Sequence, residues 1–251
     1  MRERLGVHGA QWVVPDWTAP ANVRAFVTTR AGGVSAGEYA SLNLGAASGD
    51  SAGNVQQNRA IVREHLPQAP RWLAQVHGTA VAAIDGLAPG AAAAADAALA
   101  RSPGTVCAVL TADCMPVLLA DAAGTRVAAA HAGWRGMSAG VIENAVGALG
   151  VPPGEVIAWL GPAIGPGAFE VGPDVHAAFT THDPGAADAF RPHGAGKFMA
   201  DLYALARRRL ARAGVTRVHG GGFCTHGDAE RFFSYRREKL SGRMGAFIWI
   251  A

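Results

Sequence analysis

Short apolar runs bounded by turn residues set the rhythm of this chain. Val23–Thr28, Val106–Thr111 with Val117–Ala120, Val127–Ala130, Val156–Leu160, Val215–Val218 and Ala246–Ile250 are all brief, and Gly, Pro, Asp or Ser interrupt them. The runs Val106–Thr111 with Val117–Ala120, and Val127–Ala130, predict strands buried on both faces, and the other segments, two of which carry Arg24 and Arg217, read simply as strands. Alternation predicts further strands over Arg71–Val76 and Val81–Ile84, and a first one at Trp12–Val14 that Pro15 and Pro20 end. Helical spacing marks three longer segments. Asp50 or Ser51 caps one from Ala52 to Leu66, with Val55, Val62 and Leu66 as its stripe. Asn58 and Arg59 fall at the same spacing, so at least one of them points inward. A second helix runs from Trp134 to Leu149, with Val141, Ile142, Ala145, Val146 and Leu149 inside, and Gly150 and Pro152-Pro153 stop it. A third spans Met199–Ala213 and stops at Gly214, and a short one is expected over residues 174–180.

The segments between these elements are uneven in interest. TTRAGGVSAGEYASLNLG, residues 28–45, is too polar for a core and reads as a long loop. Long loops in compact folds often carry function, which makes Arg30 and Asn43 candidates. Residues 86–100, GLAPGAAAAADAALA, read as low-complexity filler, either a loose surface loop or a short Ala helix, with Asp96 its one charge. Residues 181–196 are polar and unpatterned. No internal repeat or linker divides the chain, so residues 1–251 are expected to form one domain.

Half of the 251 residues are hydrophobic and 16% are charged, which fits a well-buried globule. The net charge of +3 admits an anionic small ligand and does not call for nucleic acid. Basic residues gather from Arg207 to Arg243 and read as a solvated helix face plus a loop. Three cysteines cannot make a disulfide framework and suit a reducing compartment. MRERLGVHGAQ lacks a signal-peptide core, and no run of ~18 apolar residues is present to span a bilayer. The expectation is a cytoplasmic protein with no membrane and no obligate protein partner.

Three side chains could carry chemistry. His77 precedes Gly78, Cys114 lies just before Pro116, and His131 lies just before Gly133. One thiolate and two imidazoles are a donor set suited to Zn²⁺ with a fourth position open. The gaps of 37 and 17 residues match no short ligand motif, so two other readings stand beside it. Cys114 could be an inert core residue, or a nucleophile with His131 as its base. Cys107 sits inside an apolar run and reads as core; Cys224 reads as structural. Asp113, beside Cys114 on a presumed strand, is expected to face the other way. The HxE…PCxxC pattern of zinc nucleobase deaminases is absent.

QVHG, TADCMPVLLAD, AAAHAGWRG, WLGPAIGPGAFEVG, DLYALARRRLARAGV and GGGFCTHGDAERFFSYRRE…GRMGAFIWI closely resemble the laccase-domain family. That family has been called polyphenol oxidase, is usually described as purine nucleoside phosphorylase, and has bacterial members termed peptidoglycan editing factors. The resemblance runs from Thr28 to the C-terminus. It implies an α+β fold, a single-domain α/β/β/α sandwich with mixed sheets. It implies that His77, Cys114 and His131 are zinc ligands and catalytic residues. It also implies phosphorolysis of adenosine, inosine and methylthioadenosine, and deamination of adenosine, so the partners are a purine nucleoside and phosphate. Arg30, Arg59 and the backbone N–H groups near Gly133–Arg135, with Arg135 itself, are then candidate anion holders, and Asn43 a candidate for the ribose or base. The competing expectations are an amide hydrolase that corrects peptidoglycan precursors, using either a Cys114–His131 pair or zinc-bound water, and a copper-dependent polyphenol oxidase. The latter is disfavoured because nine His are scattered singly, without the HxH pairs a trinuclear copper cluster would use.

Overall fold

A computed structural model describes residues 11–88 and 92–251. In chain order it places β1 (Val23–Val27), α1 (Ala52–Arg63), β2 (Val81–Ala83), β3 (Ala97–Ala100), β4 (Cys107–Thr111), β5 (Met115–Asp121) and β6 (Val127–Ala132). Then come α2 (Trp134–Ala139), α3 (Val141–Leu149), β7 (Val156–Leu160), β8 (Glu170–Val171), α4 (Pro173–Thr180), β9 (Phe190–His193) and β10 (Lys197–Ala200). The chain closes with α5 (Leu202–Arg212), β11 (Arg217–Gly220), α6 (Tyr235–Glu238) and β12 (Met244–Ile250).

A six-stranded mixed sheet, ordered β11-β7-β5-β6-β3-β2, forms the centre. Its strands β5 and β6 are buried along their whole length, as their unbroken apolar runs require. On one face Ala128, Ala130, Met115, Val117 and Leu119 meet Val141, Ile142 and Ala145 of α3 and Leu205, Ala206 and Leu210 of α5. On the other face Val127, Ala129, Leu118 and Ala120 meet Ala25, Val109, Ala246 and Ile248 of a smaller antiparallel sheet, β1-β12-β4. The outer side of that smaller sheet, with Phe26, Phe247 and Trp249, is covered by Val62 of α1 and by Leu66. The layers are therefore helix, sheet, sheet, helix, the α/β/β/α sandwich expected. A third small sheet, β8-β10-β9, joins α4 at one edge.

Several readings change. Arg71–Val76 is not a strand: only Arg71 and Leu73 make isolated bridges, and Val76 is 63% exposed. The chain there is held by side chains, not by a ladder. Trp12–Val14 likewise contributes one bridge, Val13 to Val27. Residues Ala97–Ala100 are no filler but an interior strand with every residue buried, Ala97 and Leu99 in the core shared with α3 and Ala98 and Ala100 in the core shared with the smaller sheet. Pro89 and Gly90 of that stretch, like residues 1–10, lie outside the described residues. The helix expected over Trp134–Leu149 breaks at Gly140, whose φ of 110° is open to glycine, leaving a six-residue α2 and a separate α3. Met199 and Ala200 belong to β10, and α5 begins after Asp201, whose carboxylate accepts from the Tyr203 and Ala204 N–H groups. Residues 181–196 hold a 3₁₀ segment and β9. Among the described residues no helix is long and apolar enough to cross a membrane.

The sheet–helix seam predicts a packing result. Ala130 is fully buried against α3, so Ala130→Leu should destabilise the fold by about 1–3 kcal/mol through overpacking. A denaturant midpoint lowered accordingly supports this seam; an unchanged midpoint contradicts it.

Candidate metal centre

β5 and β6 are antiparallel neighbours in a register that sets Pro116 against His131 and Met115 against Ala132. Cys114 thus emerges from the start of β5 beside the end of β6. Strand alternation turns the His131 side chain to the face of Val127 and Ala129, toward the smaller sheet. β3 lies on the other side of β6, with Ala97 opposite Ala130, so Asp96 arrives next to His131. His77 comes from the loop after Leu73, in a left-handed conformation at φ 59°. The ligand atoms of His77, Cys114 and His131 all lie within 4.8 Å of one another. Cys114 Sγ is 3.8 Å from His77 Nε2.

Asp96 explains how three distant segments hold this arrangement. It is fully buried. Oδ1 accepts from the backbone N–H of His77 at 2.9 Å, and Oδ2 from those of Val76 at 3.1 Å and Gly78 at 2.7 Å. Its Oδ1 also lies 2.8 Å from His131 Nδ1. A carboxylate only accepts, so Nδ1 carries a proton and Nε2 is the nitrogen that would ligate an ion, giving up its own proton to do so. Burial alone would raise the Asp96 carboxyl, but the His131 bond and the backbone N–H groups hold it below its ordinary value. One buried acid therefore fixes the loop of one ligand and the ring of another.

The electrostatics favour a metal-ready thiolate. Burial pushes the Cys114 thiol up, yet the His131 charge and hydrogen bonds from both imidazoles bring it down to about 6. Burial opposes charge on His131, and the Cys114 sulfur and Asp96 raise it to about 9. Cys107, fully buried in the core, goes the opposite way, its thiol pushed up by burial. A tetrahedral ion with ordinary Zn–S and Zn–N bonds wants S···N separations of about 3.6 Å, close to what the side chains already offer. Gly133 is part of the cradle: a Cβ there would stand 2.8 Å from Cys114 Sγ and 3.1 Å from His77. The residues fit a single divalent ion.

The group lines a cavity of about 840 Å³, within the range of small-molecule sites. Its walls carry Gln75, Trp134, Ile164, Phe169 and Tyr235, and the basic side chains of Arg59, Arg135, Arg236, Lys239 and Arg243. Arg59 and Arg135 are thus beside the cavity. Arg30 and Asn43 are not among its lining residues. Arg30 donates to the carbonyls of Ala40 and Ala229 and to Glu238, tying the long loop to α6. Asn43 is fully buried and bonds Ser48, Asp50 and the N–H groups of Gly45 and Arg243. Both act inside the scaffold. Asn58 is also buried, holding the loop through Val34, Ser35, Ser41 and Asn43.

Asp96 escaped the sequence reading because it sat in Ala-rich text; its signal was a lone acid directly before four apolar residues. Asp113 is not turned away. At φ 86° it leaves the strand path, lines the cavity, and accepts from Thr225 Oγ1 and the Arg236 N–H, each at 2.6 Å. Arg236 and Arg243 carried no local signal at all.

Comparison with known proteins agrees with this geometry. The chain is 53% identical over 240 residues to a Pseudomonas aeruginosa protein named purine nucleoside phosphorylase, covering 95% of this chain and 98% of that one. It is 52% identical over 240 residues to purine nucleoside phosphorylase YfiH of Escherichia coli, with the same coverage. A Neisseria meningitidis crystal structure superposes with a TM-score of 0.92 at 52% identity, covering 95% of this chain and 98% of the other. YlmD from Geobacillus stearothermophilus gives 0.86 at 30%, covering 92% of each. The profile of the family described as multi-copper polyphenol oxidoreductase laccase matches residues 24–251. The chain is therefore a member of that laccase-like family, to which its His77, Cys114 and His131 segments already pointed.

Proposed function

We propose that this protein is a zinc-dependent purine nucleoside phosphorylase, a single catalytic domain acting on adenosine, inosine and methylthioadenosine, with adenosine deamination as a second reaction, and that it works in the cytoplasm. The observation that carries the reading is a one-thiolate, two-imidazole group on the wall of a cavity large enough for a nucleoside. Relatives at 45–53% identity named purine nucleoside phosphorylase support the substrate class.

His77 Nε2, Cys114 Sγ and His131 Nε2 would hold the ion. When bound, zinc supplies Lewis acidity and lowers the pKa of water toward ~7. The chain's own residues do the rest. Asp96 keeps the His131 proton on Nδ1, so that ring cannot swing or change tautomer. Trp134 and Phe169 offer aromatic surface to a purine. Arg135 lies over the Trp134 ring at 4.4 Å and Arg236 over Phe169 at 5.2 Å, so positive charge borders that surface. Zinc is preferred over copper because the donor set is one compact group of three, whereas laccase chemistry needs a cluster with many imidazoles. All three cysteines are free thiols, which suits a reducing compartment.

A second reading has one observation behind it. Asp96, His131 and Cys114 line up as acid, base and thiol, the order a cysteine hydrolase uses, which would suit an amide hydrolase acting on peptidoglycan precursors. The two readings separate on metal removal.

Metal-loaded protein given adenosine and phosphate should release adenine and ribose 1-phosphate, and chelation should abolish this. Absence of adenine, inosine and hypoxanthine would refute the nucleoside reading; nucleoside cleavage that survives chelation would refute its zinc dependence, and amide hydrolysis of a peptidoglycan precursor that survives chelation would favour the thiol. Asp96→Asn should weaken zinc binding by about 10–100-fold, as loss of a ligand-orienting carboxylate does, read by competition with a chromogenic chelator. Unaltered zinc affinity would show that Asp96 does not position the ligands. Gly133→Ala should lower metal content with the melting transition retained, since its Cβ intrudes on Cys114 and His77; full occupancy would contradict the cradle.

A further inference from the structure

The cavity is strongly unbalanced in charge. Arg59, Arg135, Arg236, Lys239 and Arg243 line it, against one carboxylate, Asp113. Both Asp113 oxygens are already engaged, by the Thr225 hydroxyl and the Arg236 backbone N–H. Among the described residues, none of the five basic groups has a carboxylate within ion-pair distance. Several arginines elsewhere are paired with acids, Arg30 with Glu238, Arg208 with Asp183, Arg209 with Glu143 and Arg231 with Asp228, and others, such as Arg126 and Arg207, spend their donors on backbone carbonyls. A partly desolvated guanidinium with no counter-charge is costly, and an anion in the cavity removes that cost.

Arg59 and Arg243 are the two best prepared to receive one. They flank a single residue, Leu44, whose carbonyl accepts from Arg59 Nε at 2.9 Å and whose N–H donates to the Arg243 carbonyl at 3.1 Å. Arg59 lies over the Trp72 ring at 4.1 Å, which fixes its plane. Among the described residues its Nη1 and Nη2 have no partner. Arg243 uses Nη1 on the carbonyls of Ser241 and Gly242, leaving Nε and Nη2 without a partner among those residues. Burial holds both guanidinium groups below their ordinary pKa. Two planar forks held in place on an acid-poor wall offer more charge and more donors than a single carboxylate would use, and a phosphate group has the oxygens to engage both.

We infer that Arg59 and Arg243, on the two sides of Leu44, form a phosphate-binding subsite of the cavity, distinct from the three metal-capable residues. This rests on the phosphorylase reading for its role, since a nucleoside is cleaved there by inorganic phosphate. The same chemistry would also hold the phosphoryl group of a nucleotide, and the test separates the two sources.

Inorganic phosphate is titrated calorimetrically into the metal-loaded full chain, and adenosine 5′-phosphate is titrated beside adenosine. Arg59→Met and Arg243→Met should each weaken phosphate binding by about 10-fold or more, the worth of a lost charge-assisted hydrogen bond. Metal content and melting temperature should hold, and Arg243→Lys should retain part of the affinity. Where a Met variant does not fold, the Lys variant at that position is read instead, with partial loss expected. Arginine dependence confined to adenosine 5′-phosphate supports the subsite and assigns it to a nucleotide. Phosphate and nucleotide affinities that ignore both arginines overturn it. Binding is read without turnover, so arginine-dependent phosphate binding with no nucleoside cleavage keeps the subsite and rejects the phosphorylase. Cleavage whose phosphate KM is unmoved in both variants does the reverse.

Discussion

One buried carboxylate carries the organisation of the site. Asp96 gathers three consecutive backbone N–H groups, from Val76 to Gly78, and the Nδ1 proton of His131. A buried, ionised acid is tolerated only when its lone pairs are satisfied, and here four donors satisfy them. The arrangement joins elements that secondary structure does not. His77 sits on a loop with almost no ladder of its own, at a positive φ, and it is Asp96 that anchors that loop to the central sheet. Gln75, whose side chain bonds both the carbonyl and the N–H of Leu110, ties the same loop to β4, and Asp96 is the one group that also holds a ligand's ring.

The sandwich supplies the remaining precision. β5 and β6 are clamped on both faces, so Cys114 and His131 are presented by stiff strands near the end of a fully buried ladder. The alanines of β3 and β6 lie on both faces, Ala97, Ala128, Ala130 and Ala132 in the core with α3 and Ala98, Ala100 and Ala129 in the core with the smaller sheet. The smaller sheet covers the opposite face and brings β4 and β12 alongside, so the loop leaving β4, with Asp113, and the loop entering β12, with Arg243, reach the same space. The cavity is thus two-sided in character: soft donors on one wall, unpaired cations on others, aromatic rings between.

Much of this was legible in the sequence, and the failures are instructive. Unbroken apolar runs located β4, β5, β6, β7 and β12, because a strand buried on both faces leaves no polar alternation to confuse the reading, and β1 was found although Arg24 interrupts it. The ligand trio came from resemblance more than spacing, since gaps of 37 and 17 residues obey no local geometry. The Ala-rich β3 was misread because alanine is silent about which element it favours. Asp96 was lost with it. Arg30 and Asn43 drew attention as polar residues in a long loop, yet their hydrogen bonds turn inward and build the loop itself. Arg243 could not be found by pattern: it lies at the end of a basic stretch that looked like solvated surface, and only the tertiary fold turns it toward Cys114 and Asp113.

The central claim is that His77, Cys114 and His131, set by Asp96, grip one divalent ion. Elemental analysis of the purified wild-type chain and of Cys114→Ser and His131→Ala, each checked for a cooperative melt, tests it most directly. The account predicts a single equivalent of zinc per folded wild-type chain and little or none in the folded variants. Zinc retained in both variants, or several equivalents of copper in the wild type, would contradict it.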